Sequence, residues 1–239
     1  MWLIINKLTN MKRKNRIWLI PLIVMGLVLI LTNSCKKEVE TGGLTDKDGN
    51  VYTSVIIGTQ EWMVENLKTT KYNDGTDIPL VTDDYEWSDL TTDAYCWYDN
   101  DAATYKNPYG ALYNWYAVNT GKLCPTGWRV PTDAEWTELT VYLGGFVAGG
   151  KLKESGTTHW NSPNTGATNE TGFTALPSGY RSYLNGTYYY IGSHGYWWSS
   201  QEYSTTNAYL RYMIYVDPGI YRDSGNKRYG YSVRCLRDL

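Results

Sequence analysis

Histidine, cysteine and phenylalanine are scarce in this chain of 239 residues, which has two His, four Cys and two Phe. The patterns HExxH, CxxC, GxSxG and the P-loop are missing as well. These are the usual residues of zinc hydrolysis, dithiol redox chemistry, serine esterases and nucleotide binding. The sequence offers no catalytic constellation, and we expect a protein with no enzymatic activity, metal or cofactor.

The chain also lacks an apolar run long enough for a typical membrane span. Its longest run, Ile17 to Leu31, has about 15 residues, whereas a spanning helix needs about 20. Basic residues precede the run, and Ser34 with Cys35 follows it in an arrangement similar to a bacterial lipobox. This predicts a signal peptide over residues 1–34 and lipidation of Cys35. An uncleaved N-terminal anchor is the alternative; either way the rest is exported and tethered to a membrane.

A strongly basic surface is missing too. Without the five basic residues before Cys35, 17 basic and 24 acidic side chains remain, a net charge of −7. Such a balance gives no electrostatic footprint for nucleic acid. Residues 35–50 contain the lipidated cysteine and a polar, glycine-containing stretch that reads as a flexible tether. Residues 51–239 have the length of one domain.

The strongest secondary-structure signal begins at Pro131, which favours an extended residue before it. Thr132 and Glu135 have the spacing of a capping box, and apolar residues at helical spacing follow up to a Gly-Gly pair. A second helix is expected to start at Asn107-Pro108, with Leu112, Trp115 and Tyr116 as its apolar stripe.

Strands are expected on both sides of these helices. β-branched residues around Gly58-Thr59 predict a hairpin of residues 51–57 with residues 60–64. Further strands are predicted at 196–200, 208–215 and 229–236, with no helix after Gly149. The fold class is therefore α+β, with two helices, short antiparallel strands and much irregular loop.

Several motifs carry a family resemblance: LCPTGWRVPTDAEWTEL, YGALYNWYAV, GGKLKESGTTHW, TGFTALPSGYR, GYWWSS and GYSVRCLRDL. On these residues the chain resembles the Fibrobacter succinogenes major paralogous domain, found in lipoproteins of Bacteroidetes and Fibrobacteres, over roughly residues 44–239. The resemblance implies a relation to the formylglycine-generating, sulfatase-modifying fold, a variant of the C-type-lectin-like fold. It also implies an outer-membrane lipoprotein of the cell envelope, facing either the periplasm or the cell exterior.

The resemblance further implies a disulfide, because C-type-lectin-like domains carry a long-range bridge where Cys124 and Cys235 stand here. Cys96 is then left over, and we interpret it as a small buried apolar residue, with a reactive thiol as the alternative. Formylglycine-generating enzymes need a reactive cysteine pair. If Cys124 and Cys235 are bridged, the resemblance does not bring that oxidase activity with it.

Metal binding and acid–base chemistry are weakly supported. Asp46 to Asn50 resembles the start of an EF-hand loop, but Ile57 occupies the position of the bidentate Glu, so we interpret the segment as a turn. The calcium and sugar motifs of C-type lectins are not found either. His159 is expected to make a structural hydrogen bond rather than act as a base.

Aromatic residues are what the chain has in excess: 23 Tyr and 11 Trp, with thirteen of the Tyr after Gly179. Such rings suit surfaces where one end is apolar and the other meets water or a partner. Trp128, Trp136, Trp160, Trp197 and Trp198 stand at motif positions and are expected in the core. The tyrosines form either core and scaffold or an exposed face. The candidate ligand-binding residues are Tyr183, Tyr188, Tyr189, Tyr190, His194, Tyr203, Tyr209 and Tyr221.

These observations favour a lipid-anchored envelope protein with a non-catalytic binding or scaffold domain. Its expected ligand is a glycan or an extracellular protein. An enzyme related to formylglycine-generating oxidases is one alternative, and a structural component of outer-membrane assembly is another.

Overall fold

The structure, a computed structural model, describes residues 44–239. The predicted signal peptide, Cys35 and the tether residues before Leu44 lie outside the described residues. The last part of the predicted tether is folded, because β1 (Leu44–Thr45) pairs with β2 (Val51–Tyr52) across a turn. Asp46 stabilises that turn by accepting hydrogen bonds from the backbone N–H groups of Asp48 and Asn50. The acidic segment is thus a turn, as the sequence indicates, and the folded domain begins before residue 51.

The described part contains five α-helices and twelve short strands, which confirms the α+β class. The helices are α1 (Asp84–Ser88), α2 (Ala102–Tyr109), α3 (Trp115–Asn119), α4 (Asp133–Tyr142) and α5 (Ala148–Leu152). The strands after β2 are β3 (Ser54–Ile57), β4 (Gln60–Met63), β5 (Tyr95–Cys96), β6 (Leu112–Tyr113), β7 (Ser178–Arg181), β8 (Tyr188–Ile191), β9 (His194–Glu202), β10 (Asn207–Ile214), β11 (Tyr221–Asn226) and β12 (Leu236–Asp238). None of the helices described is both long and apolar enough to span a membrane.

Four sheets organise these strands. The largest has the order β11-β10-β9-β7-β8 and is antiparallel except for the parallel pair β7 and β9. A three-stranded sheet has the order β12-β4-β3, and its β3–β4 pair is the predicted hairpin. The remaining pairs are β1 with β2 and β5 with β6.

The central helix α4 is as predicted. The Thr132 side chain accepts from the backbone N–H of Glu135, and the Glu135 side chain accepts from that of Thr132. Trp136 and Leu139 are buried, and the ring centroid of Trp136 lies 4.7 Å from that of Trp62. Local capping and helical spacing therefore place this element correctly.

The second predicted helix is wrong in position. Asp101 caps α2, so Pro108 lies near the end of this helix and not at its start. Gly110 then ends it at a φ of +75°, and a Cβ on Gly110 would lie 2.7 Å from the backbone oxygen of Leu67. Leu112 belongs to a strand, and Trp115 opens the separate helix α3.

Two predictions about the second half are also wrong. Helix α5 continues past Gly149, and residues 229–236 do not form one strand. Gly230, Tyr231 and Ser232 make single bridges to three different segments of the chain, and only β12 pairs regularly, with β4. A segment that contacts three partners in succession has no continuous neighbour with which to form a strand.

The core lies on both faces of the large sheet. Trp197 on one face packs in the same cluster as Trp136 and Trp160. Trp198 on the other face packs with Tyr113 and Leu210. Trp128, predicted to be core, is only half-buried. A disulfide joins Cys124 to Cys235, 111 positions apart, in agreement with the pairing that the resemblance implies.

Candidate binding surface on the large sheet

Strand pairing places tyrosines in line across the large sheet. The register sets Tyr196 of β9 opposite Tyr212 of β10, and Tyr212 opposite Tyr221 of β11. At the other edge Tyr180 of β7 is opposite Tyr189 of β8. Paired residues of neighbouring strands project on the same face. The sheet therefore collects residues that are far apart in sequence into one row.

The rings of this row stack on one another. From Tyr190 through His194, Tyr196 and Tyr212 to Tyr221, successive ring centroids are 4.4, 5.8, 5.5 and 4.7 Å apart. The planes of successive rings differ by 27°, 3°, 29° and 8°. Because neighbours cover each other's faces, the middle of the row presents ring edges and hydroxyl groups outward.

More tyrosines extend the row into a surface. Tyr180 stands nearly perpendicular to Tyr196 and to Tyr229, at 88° and 89°. Tyr183 packs edge-on against Tyr229, with centroids 4.7 Å apart. We define the tyrosine surface by the residues Tyr180, Tyr183, Tyr189, Tyr190, His194, Tyr196, Tyr212, Tyr221 and Tyr229. Exposed ring area is greatest at one end, where Tyr189 and Tyr190 are 38% and 50% exposed.

Buried residues of the same sheet face fix the tyrosine surface at one end. Further along the same face, Trp198 and Leu210 are buried, and the indole N–H of Trp198 donates to the backbone oxygen of Tyr113. Tyr231 is buried beside the row and stacks on Tyr196. One end of the sheet face is thus anchored in the core, while the tyrosine end remains at the boundary with solvent.

The surface is polar but uncharged at neutral pH. Within the part of the chain that the structure describes, the hydroxyls of Tyr180, Tyr196, Tyr212 and Tyr229 have no hydrogen-bond partner in the protein. Burial raises the pKa of Tyr180 to about 12 and also raises the pKa values of the other three phenols. Burial lowers the pKa of His194. All these groups are therefore neutral and can donate or accept hydrogen bonds.

The structure brings together five of the eight residues proposed from the sequence: Tyr183, Tyr189, Tyr190, His194 and Tyr221. Tyr188 packs instead against Tyr98 and the Arg181 guanidinium, on the other face of β8 from its neighbour Tyr189. Tyr190, at a φ of +66°, departs from this alternation and joins the surface. Tyr203 and Tyr209 form a separate pair, with the Arg222 guanidinium 4.2 Å from the centre of the Tyr209 ring.

Sequence reasoning missed Tyr180, Tyr196, Tyr212 and Tyr229. The signal for two of them was present. Tyr196 and Tyr212 each stand two positions from a buried residue of the same face, Trp198 and Leu210. Whether these two tyrosines meet in the tyrosine surface depends on the pairing of β9 with β10. The alternation of residues along each strand does not reveal that pairing.

Cys96 and His159, the two groups considered for chemistry, are buried and hydrogen-bonded, respectively. Cys96 is buried, and burial raises the pKa of its thiol to about 11, so it is a poor nucleophile. His159 lies 2.9 Å from a carboxylate oxygen of Glu154 and packs edge-on against Tyr109. Among the described residues, no group of three or more His, Cys, Asp or Glu side chains is arranged to hold a metal ion.

Comparison with protein-family models matches residues 55–237 to the Fibrobacter succinogenes major domain, which confirms the resemblance found in the sequence. Comparison with curated proteins and with solved structures gave no match.

Proposed function

The chain belongs to the Fibrobacter succinogenes major domain family, and we propose that it is a non-catalytic binding domain whose tyrosine surface takes a glycan. One observation carries this proposal: a continuous row of stacked rings in which the hydroxyls of Tyr196 and Tyr212 have no partner within residues 44–239. Polar groups left open at a rigid surface are the groups that a ligand can satisfy.

A glycan fits the chemistry of this surface better than a charged ligand does. Sugar hydroxyls exchange hydrogen bonds with neutral phenols, and the exposed rings of Tyr189 and Tyr190 offer faces on which a pyranose can stack. Asp217 and Asp223 lie close enough to Tyr212 to raise the pKa of its phenol further, after the effect of burial. These carboxylates would repel an anionic ligand at that end of the row.

A protein partner is the second candidate, supported by the rigidity of the rings. Tyrosines that are already fixed lose little conformational entropy on binding, which is why they are common in antibody paratopes. Stacking holds Tyr196 between His194 and Tyr212 in this way. An extracellular protein could therefore use the same surface.

The finer fold assignment and the location are part of the proposal. A C-type-lectin-like fold related to sulfatase-modifying enzymes is supported by the disulfide between the approach to α4 and the residue before β12. Stable disulfides favour an oxidising compartment, in line with export and an outer-membrane lipid anchor at Cys35. Oxidase activity is disfavoured, because the bridge leaves Cys96 as the single free thiol of the described part. A role in envelope assembly remains the further alternative.

The test is a glycan array probed with the full chain. The chain is kept soluble in a polyoxyethylene detergent, because a glycoside detergent would itself present a sugar. Saturable binding to one carbohydrate class is expected, and Tyr189→Ala should reduce it because it removes exposed ring area. Tyr203→Ala, outside the surface, is the matched control. A blank array from protein shown to be folded would move the assignment to a protein partner or an assembly role.

A further inference from the structure

A separate groove lies beside the disulfide, bordered by the β1–β2 turn, β4, β12 and the segment that leads to α4. Its volume is about 340 Å³, within the size range of small-ligand sites. We call it the Trp128 groove after the half-buried indole that lines it. It shares no residue with the tyrosine surface, so a ligand here is independent of the function proposed above.

The carboxylates of the groove already have hydrogen-bond partners. Asp46 accepts four hydrogen bonds at 2.6 to 2.9 Å: two from backbone N–H groups, one from a side-chain amide and one from Tyr52. Glu61, whose side chain is 9% exposed, accepts from Ser54 and from Arg237. An ionised carboxylate has about four acceptor positions. Asp46 is therefore saturated, and Glu61 is mostly shielded from a ligand.

The donors of the groove are largely open. Among residues 44–239, nothing accepts from the ammonium of Lys47 or from the indole N–H of Trp128. Arg237 donates to Glu61 through Nε, and both of its Nη groups lack a protein acceptor in that part of the chain. Its guanidinium carbon lies 5.0 Å from the ring centre of Trp128. Within the described part, Lys71 is paired with Asp77 alone.

The apolar part of the lining is small. Leu44, Leu123 and Pro125 contribute it together with the Trp128 ring. Two side-chain acceptors of the lining receive no hydrogen bond from residues 44–239: the amide oxygen of Asn73 and the hydroxyl of Thr126. A ligand that fits this groove must offer several hydrogen-bond acceptors to the open donors. It must also have a compact apolar part that packs against the small apolar lining.

From this imbalance we infer that the Trp128 groove binds a small organic carboxylate. A carboxylate carries acceptors only, and a guanidinium with two open Nη groups can meet it with paired, charge-assisted hydrogen bonds. The Lys47 ammonium adds a second cation that no protein carboxylate in the described part neutralises by contact. The carboxylate can belong to an acidic sugar or to the end of a peptide, since both present this group on a compact body.

The test compares two carboxylates with their neutral counterparts on the detergent-solubilised full chain. D-galacturonate is paired with D-galactose, and N-acetylalanine with its amide, and binding is followed by saturation-transfer NMR and calorimetry. At least one carboxylate should bind about ten times more tightly than its neutral counterpart. Lys47→Gln should weaken that binding about threefold or more and reduce its dependence on salt. Lys151→Gln, at a lysine paired with Glu170 outside the groove, should leave it unchanged.

The inference is wrong if the acids and neutral compounds bind equally, if neither acid binds at millimolar concentration, or if Lys47→Gln retains full affinity. Unfolding curves check that each variant is folded. Replacing Lys47 should change the stability little, because its side chain has no partner among residues 44–239. Carboxylate binding should persist in a variant of the tyrosine surface, Tyr196→Phe with Tyr212→Phe. Failure of the glycan proposal and failure of the groove are therefore distinguishable.

Discussion

Lys153 supports the tyrosine surface from below, and its replacement should be among the most damaging single changes. Its side chain is fully buried, and its ammonium donates to the backbone oxygens of Thr165, Ile214 and Asp217 at 3.0, 3.0 and 2.9 Å. Two of these carbonyls lie at the end of β10 and in the connection to β11. One cation thus fixes the turn between the strands that carry Tyr212 and Tyr221.

The magnitude follows from two opposing effects. Each charge-assisted hydrogen bond contributes about 1.5 to 3 kcal/mol, so three contribute roughly 5 to 9 kcal/mol. Burial works against the cation and lowers the pKa of Lys153 to about 8, which corresponds to a cost of about 3 kcal/mol. We therefore expect Lys153→Met to destabilise the fold by about 3 to 5 kcal/mol, because three buried carbonyls lose their donor.

Urea unfolding followed by far-ultraviolet circular dichroism measures this change, and near-ultraviolet circular dichroism reports the tyrosine stack. Lys151→Met is the control, because that lysine is only half-buried and its ion pair with Glu170 should contribute about 1 kcal/mol or less. The near-ultraviolet tyrosine signal should weaken in Lys153→Met and not in the control. A Lys153→Met protein within about 1 kcal/mol of the parent would refute the reasoning.

Three further predictions concern stability. Replacing Cys124 and Cys235 by Ser should cost about 4 to 5 kcal/mol in the chain-entropy model, because the bridge closes 111 positions; denaturant midpoints equal to those of the parent would contradict this. Gly110→Ala should destabilise strongly, since its φ is +75° and a Cβ would lie 2.7 Å from a backbone oxygen. Gly121→Ala, at φ +69° with open space around it, should cost only about 1 kcal/mol, and equal effects would exclude the predicted steric clash. Because the folded pKa of Lys153 lies below its unfolded value of about 10.4, the unfolded state binds more protons between about pH 8 and 10. The stability of the parent relative to Lys153→Met should rise with pH across that window, and a falling difference would show the opposite shift.

The elements that the sequence predicts well are those with local causes. The α4 capping box and the β3–β4 hairpin each depend on residues within one turn of each other. The second helix was misplaced because Asn107-Pro108 resembles a helix start, while the cap that acts is Asp101. Both positions carry the signal of a helix start, and the sequence alone does not show which of the two begins the helix.

The tyrosine surface depends on pairing between strands that are far apart in sequence. The sequence therefore predicts only some of its residues. An excess of tyrosine after Gly179 indicates a surface rich in rings, and five proposed residues do belong to it. Which rings meet is decided by the register of β9 with β10 and by the parallel contact of Gly179 with Gly195. Tyr188 lies apart from these rings for this reason, since it is adjacent to Tyr189 in sequence but packs against Tyr98.

The central claim is that the open hydroxyls of the tyrosine surface contact a ligand. Its most direct test is the affinity of the double variant Tyr196→Phe and Tyr212→Phe for the glycan class found on the array. This change keeps the stacked rings and removes two hydroxyls, so binding should weaken about 5-fold or more per hydroxyl that contacts the sugar, with Tyr203→Phe as the control. Unchanged affinity in the double variant, with the fold intact, would contradict the account.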